Sequence, residues 1–306
     1  MTIKNLSIAL DWTANTNHTG FFIAKKLGFY TDLGIELTIN TPDQDNYVST
    51  PAKKLSLSQV DFAIAPFESV ISLNTKVDPV KAIAIATILQ KDISTIACLA
   101  DKGIKSPKDL DHKIYASYKA RYEDEIVKQM IINDGGKGEI EIIFPEKLGI
   151  WDTILNNSAD ATWIFNNWEG VEAEQNGINL TKFSLADYQI PYGYSPVILS
   201  VQSKIEENKS IFKSFLNATK KGFQFAIEQP EKASEILSEY VPKKDLQKID
   251  LLKSQLFINP HYGKADNWGK MKKERVQLFI DWLVKQGLET PAIKNMNLFT
   301  NELLED

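Results

Sequence analysis

The chain has 306 residues, with 35 Lys+Arg against 40 Asp+Glu and a formal net charge of −5. That length fits two domains with cores of their own, and a hydrophobic share of 43% with 25% charged residues is that of a soluble globular protein. Mild acidity speaks against nucleic acid as the main partner, because phosphate neutralisation needs clustered Lys and Arg; the longest charge-free run, Tyr188–Ser203, is broken by Pro191 and Pro196, which excludes a membrane-spanning helix.

In chain order, Leu6–Leu10 reads as a strand ending in Asp11-Trp12. His18 to Tyr30 carries Phe21, Phe22, Ala24 and Leu27 on one helical face, with Gly28 at its end. Ile35–Ile39 is a second strand, Asn46–Leu57 a polar helix and Val60–Ala65 a third strand. Pro66 opens the next helix at a position where its missing N–H costs nothing. Val80–Leu89 and Ile93–Ala100 are apolar strands. A second series of strands follows at Lys113–Ser117, Ile140–Phe144 and Ala161–Phe165, with helices near Glu123–Asn133, Trp151–Asn156 and Glu169–Gln175 between and after them. Ser195–Val201 is one more strand, and everything after Lys204 reads as helix.

Such alternation predicts an α/β fold with parallel sheets and right-handed crossovers. Its order predicts two lobes, 1–100 plus 195–306 and 101–194, with Ile93–Ala100 and Ser195–Val201 as crossover strands. Two crossings make a hinge, and a hinge sets a ligand cleft between the lobes.

Cys98 is the one cysteine, so an internal disulfide, a thiolate zinc site and an iron–sulfur cluster are excluded. It lies in an apolar strand and reads as a packed thiol. His18, His112 and His261 fall in no metal-binding pattern. Neither metal nor cofactor is expected.

Ligands of open α/β sheets collect at the carboxyl ends of strands, beside helix N-termini. Four junctions stand there. Trp12, Asn15, Asn17 and His18 lie between the first strand and helix, where Trp12 supplies a flat apolar face and the others directed hydrogen bonds; Asn and Thr in such a loop also serve as helix caps. Glu68 follows the third strand, where a carboxylate also suits the helix dipole. Trp163, Asn167, Trp168 and Glu169 stand at a junction in the second lobe, near Tyr115 and Ser117, which end another strand. Tyr192 and Tyr194 precede the return strand at the hinge. Aromatic faces, amides and carboxylates together suit a flat, nitrogen-rich heterocycle. An anionic ligand would instead want arginine, and only Arg121, of the two arginines, lies near these loops.

Trp12-Thr-Ala-Asn-Thr-Asn-His-Thr-Gly20 resembles a motif of the substrate-binding proteins of ABC importers, in the branch that captures thiamine pyrimidine precursors. Lys25–Leu37, the Trp163–Gly170 segment with Glu172-Ala-Glu174, and Phe279-Ile-Asp-Trp-Leu283 through Leu288 are similar to that family as well. The resemblance implies a two-lobed periplasmic-binding-protein-like fold of type II. It further implies a monomer that binds an aminopyrimidine and passes it to an importer permease. A related branch makes the thiamine pyrimidine from its own histidine and pyridoxal phosphate, using a lysine and histidine after the third strand and a cysteine-rich loop before the return strand. Here those places read Ala65-Pro-Phe-Glu-Ser69 and Ile190-Pro-Tyr-Gly-Tyr-Ser-Pro196, without Lys, His or Cys. No catalytic residue is expected, and binding is the reading favoured over synthesis. Neighbouring branches bind riboflavin precursors, sulfonates and nitrate, which stay open as ligands. No secretory signal precedes the first strand. The chain is expected in a periplasmic or other extracytoplasmic space if a signal has been removed, and otherwise in the cytoplasm.

Overall fold

The computed structural model describes residues 3–305. Its first elements are β1 (Lys4–Ala9), α1 (Thr19–Lys26), β2 (Ile35–Asn40), α2 (Pro51–Ser56), β3 (Phe62–Ala65), α3 (Phe67–Thr75) and β4 (Ala82–Thr87). There follow β5 (Ser94–Leu99), β6 (Ile114–Ala116), α4 (Glu123–Asn133), β7 (Glu141–Ile143), α5 (Ile150–Leu155), β8 (Ala161–Phe165), α6 (Glu169–Gln175) and β9 (Leu180–Phe183). The last third is β10 (Val197–Val201) and then α7 (Gln202–Glu207), α8 (Lys209–Glu228), α9 (Pro230–Ser238), α10 (Lys243–Leu246), α11 (Leu251–Tyr262) and α12 (Lys273–Lys285). Among the described residues no helix is long and apolar enough to cross a membrane.

The strands form two five-stranded sheets, ordered β2-β1-β3-β10-β4 and β7-β6-β8-β5-β9. β1 runs parallel to β2 and β3, and β6 parallel to β7 and β8, as strand–helix alternation requires. Neither sheet is wholly parallel, however. β10 is antiparallel to β3 and β4, and β5 is antiparallel to β8 and β9. The chain leaves β4 at that strand's carboxyl end and enters the second sheet from the facing edge, so β5 must run away from it. The return through β9 into β10 obeys the same geometry.

Ser94–Leu99 therefore corrects the expected division of the chain. It pairs within the second sheet, with β8 and β9, and not with the first lobe. An apolar run buried on both faces fits either sheet, and only long-range pairing decides between them. We propose that the sheets mark two lobes, 3–88 with 197–305 and 94–183, joined by the segments 89–93 and 184–196. The expected crossover strands thus each lie inside one sheet, and the crossings are the segments that precede them.

Two further expectations change. Residues 46–57 do not form one helix: Asn46 and Tyr47 have φ of 51° and 58°, and the helix starts only at Pro51, capped by the Thr50 hydroxyl on Lys53 N–H. Leu180–Phe183 carried no strand signal because Thr181 and Lys182 interrupt it, yet it borders β5. In the first lobe the core is aromatic. Phe62 stacks on Phe215 at 4.1 Å, and Phe21 meets Phe223 edge-on at 5.5 Å. This packing seats α1, and with it the loop at its N-terminus, against the long amphipathic α8.

Candidate functional site

The carboxyl ends of β1, β3 and β8 converge on a cavity of about 600 Å³. From the β1–α1 loop it receives Asp11, Trp12, Asn15 and Asn17. This loop is held from within. Asn15 caps the turn Thr16–His18 by accepting from Asn17 N–H at 2.8 Å, and its amide donates to the Thr13 carbonyl at 3.1 Å. His18 is fully buried; its Nδ1 accepts from Asn15 N–H at 3.3 Å and its Nε2 meets Asp11 Oδ1 at 2.7 Å. These bonds leave the Trp12 indole at the cleft, 5.8 Å from the Tyr118 ring and 5.9 Å from Tyr47.

Trp163, Trp168, Glu169 and Phe165 line the cavity from the β8–α6 junction. Glu169 is the first residue of α6 and is 8% exposed; its Oε2 accepts from Phe165 N–H at 3.0 Å. Burial pushes its carboxyl up to about 7, against that backbone bond. Glu68, in the first turn of α3, is 4% exposed, and its Oε2 has no hydrogen-bond partner. Burial first, and the charge of Glu123 second, push it up to about 8, with Arg121 opposing. Glu123 accepts from Tyr115 Oη at 2.8 Å, Tyr118 N–H at 3.0 Å and Ala120 N–H at 3.1 Å, and burial raises its carboxyl too. The cavity thus has aromatic walls and three buried carboxyls.

Eight of the thirteen expected site residues line the cavity: Trp12, Asn15, Asn17, Glu68, Trp163, Trp168, Glu169 and Tyr192. Five do not. His18 is spent on the loop, Tyr115 on Glu123, and Ser117 donates to Asp124 at 2.6 Å. Tyr194 accepts from Lys272 N–H at 2.9 Å under the Arg275 guanidinium, at 4.1 Å. Asn167 is fully buried and donates to Thr16 Oγ1 at 2.9 Å and Asn17 Oδ1 at 3.1 Å. Each lies near the junction where it was expected, but its side chain is taken up by these partners and does not line the cavity.

Sequence reasoning missed Tyr47, Tyr118, Glu123 and Lys147, all on the cavity wall. Lys147 Nζ lies 5.0 Å above the Tyr47 ring, and burial lowers its pKa. The four sit in turns or at a helix start, where no periodicity marks a facing side. Tyr118 and Glu123 had a readable cue, following directly on the strand that ends at Ala116. Cys98 is buried away from the cavity, and burial lifts its thiol to about 11. Among the described residues no group of His, Cys, Asp and Glu is placed to hold a metal ion.

The chain belongs to the NMT1/THI5-like family, which its residues 15–233 match. It is 21% identical over 296 residues to a formylaminopyrimidine-binding protein from Halalkalibacterium halodurans, covering 95% of this chain and 88% of that one. It is 25% identical over 243 residues to a 4-amino-5-hydroxymethyl-2-methylpyrimidine phosphate synthase from Legionella pneumophila, covering 78% of this chain and 75% of that one. In fold it is similar to the alkanesulfonate-binding protein SsuA from Xanthomonas axonopodis pv. citri bound to MOPS, with a TM-score of 0.71, 10% identity and coverage of 94% and 95% of the two chains. The fold is the two-lobed α/β fold of periplasmic binding proteins.

Proposed function

We propose that the chain is a solute-binding protein that captures an aminopyrimidine related to thiamine precursors in the cleft between its lobes. One observation carries this reading: the buried Glu169 carboxyl stands beside Trp168 in an aromatic-walled cavity that also receives Trp12. A carboxylate there accepts from an exocyclic amine, and the indoles take the ring face. The similarity to a formylaminopyrimidine-binding protein along 95% of the chain supports the same ligand class. Delivery to an ABC-importer permease, outside the cytoplasm and as a monomer, completes the proposal, supported by the fold shared with the alkanesulfonate-binding protein.

Synthesis of the pyrimidine is the second reading, because the synthase from Legionella pneumophila matches 78% of the chain. Against it stand Ala65-Pro-Phe-Glu-Ser69 and Ile190–Pro196, which offer no Lys, His or Cys. Lys147 is the half-buried cleft lysine to watch. Pyridoxal phosphate is expected to give no Schiff-base absorbance and no pyrimidine product. Calorimetry tests the binding reading. Trp12→Ala is expected to weaken an aminopyrimidine by at least about tenfold, the loss of stacking and burial together. Glu169→Gln is expected to weaken it more than a deaminated analogue. Wild-type affinity in both variants overturns the proposal.

A further inference from the structure

Glu68 is not needed to hold the ring amine that Glu169 accounts for, and the fold gives its free oxygen nothing to do. We propose that the cleft selects an aminopyrimidine carrying a protonated amine at the end away from Glu169, and that the Glu68 carboxylate receives that ammonium. The inference rests on the pyrimidine reading above and deepens it.

Three features carry it. Glu68 lines the cavity, and its Oε2 is buried with no partner from the protein, which leaves a hydrogen-bonding group for a ligand to satisfy. The charged and titratable neighbours that bear on Glu68 are Glu123 and Arg121 before and within α4, and Tyr192 and Tyr122. Glu123 has three donors of its own, so it adds negative field and no hydrogen. Arg121, the cation of this set, is turned to an ion pair with Glu289. An anion at this end would meet two carboxyls, whereas an ammonium favours the ionised Glu68 over the protonated one and so draws out its charge. An ammonium supplies both donors and charge. Glu68 follows β3 of the first sheet and Glu169 follows β8 of the second, and both line the one cavity. The carboxyls therefore address separate parts of one ligand.

The test uses three aminopyrimidines that share the ring and its amino group and differ in one substituent: aminomethyl, hydroxymethyl or methyl. Calorimetry on the wild-type protein is expected to rank aminomethyl at least about tenfold tighter than methyl, with hydroxymethyl between, as a charge-assisted bond requires. Glu68→Gln is expected to bring aminomethyl and methyl within about threefold of each other while leaving the methyl compound's affinity within about threefold of wild type. A wild-type ratio below about three, or an equal loss for all three compounds in Glu68→Gln, overturns the inference. The wild-type series decides alone if the variant fails to fold. Binding of none of the three overturns the pyrimidine reading, and the Glu68 assignment falls with it; binding of all three without preference overturns the Glu68 assignment only.

Discussion

Glu68 has a consequence for the empty protein as well as for its ligand. The carboxyl rises from 4.5 to about 8 on folding, chiefly through burial. The folded chain therefore keeps a proton that the unfolded chain has released above 4.5. Its contribution to stability is full below that pH and is lost as pH rises through about 8. Glu169, at about 7, acts in the same direction over a narrower window. Ligand-free wild type is thus expected to lose stability between weakly acidic and weakly alkaline pH. Glu68→Gln, neutral throughout, is expected to flatten that slope in part. Denaturant titrations should find it more stable than wild type by about 1–3 kcal/mol near the alkaline end, and equal to it at the acid end. A variant that tracks wild type at every pH would mean the carboxyl ionises freely in a wet cleft. His18 is the opposite kind of residue: it looks chemical in the sequence and serves instead to tie Asp11 to Asn15.

Whether the β1–α1 loop can present Trp12 depends on how closely α1 sits on α8. A Cβ on Gly222 would lie 2.0 Å from the Gly20 carbonyl oxygen, and a Cβ on Gly20 would meet the Phe223 ring at 2.2 Å. Alanine is the better helix former by about 1 kcal/mol in an exposed site, but here the overlap is with backbone, which must move. Gly222→Ala is expected to cost about 1–3 kcal/mol, read as a lower urea midpoint with an unchanged m-value. A stability gain would show that α8 shifts freely. Legibility in the sequence follows the same line between local and distant causes. The strands of the first lobe and the amphipathic α8 declare themselves by period, and the loops after β1, β3 and β8 by their place at strand ends. Tyr47 did not, because its backbone is left-handed in a segment read as helix. The Thr50-Pro51 pair was the signal that the helix begins later. The sheet that takes β5, and the side to which Tyr115 and Asn167 turn, are set by partners far along the chain.

Several contacts join the two proposed lobes, among them the buried Asn167 amide on Thr16 and Asn17. Lys253 reaches Glu174 at 2.8 Å, but both side chains are largely exposed, and such pairs contribute little. Trp12 against Tyr118 and Lys147 over Tyr47 join the proposed lobes along the cavity wall. Glu289 is a further contact. Its side chain is 6% exposed, and it takes donors from both Arg121 and Tyr122, the latter at 2.5 Å. The carboxylate belongs to the chain after α12 and the donors to the segment entering α4, so the contact joins the two proposed lobes and must break when they part. Two charge-strengthened bonds converge on this one buried carboxylate. A ligand shifts the lobes toward closure only through its differential affinity for the closed state. Removing this link adds to what the ligand must supply. Glu289→Ala is therefore expected to weaken aminopyrimidine binding by about fivefold to thirtyfold. Small-angle scattering should find the ligand-free variant larger than ligand-free wild type, and saturating ligand should return it to the compact size. Superimposable ligand-free curves and unchanged affinity would mean instead that the buried bonds of Asn167 to Thr16 and Asn17, with the edge-on contact of Tyr122 and Phe279 at 6.4 Å, hold the lobes together without the carboxylate.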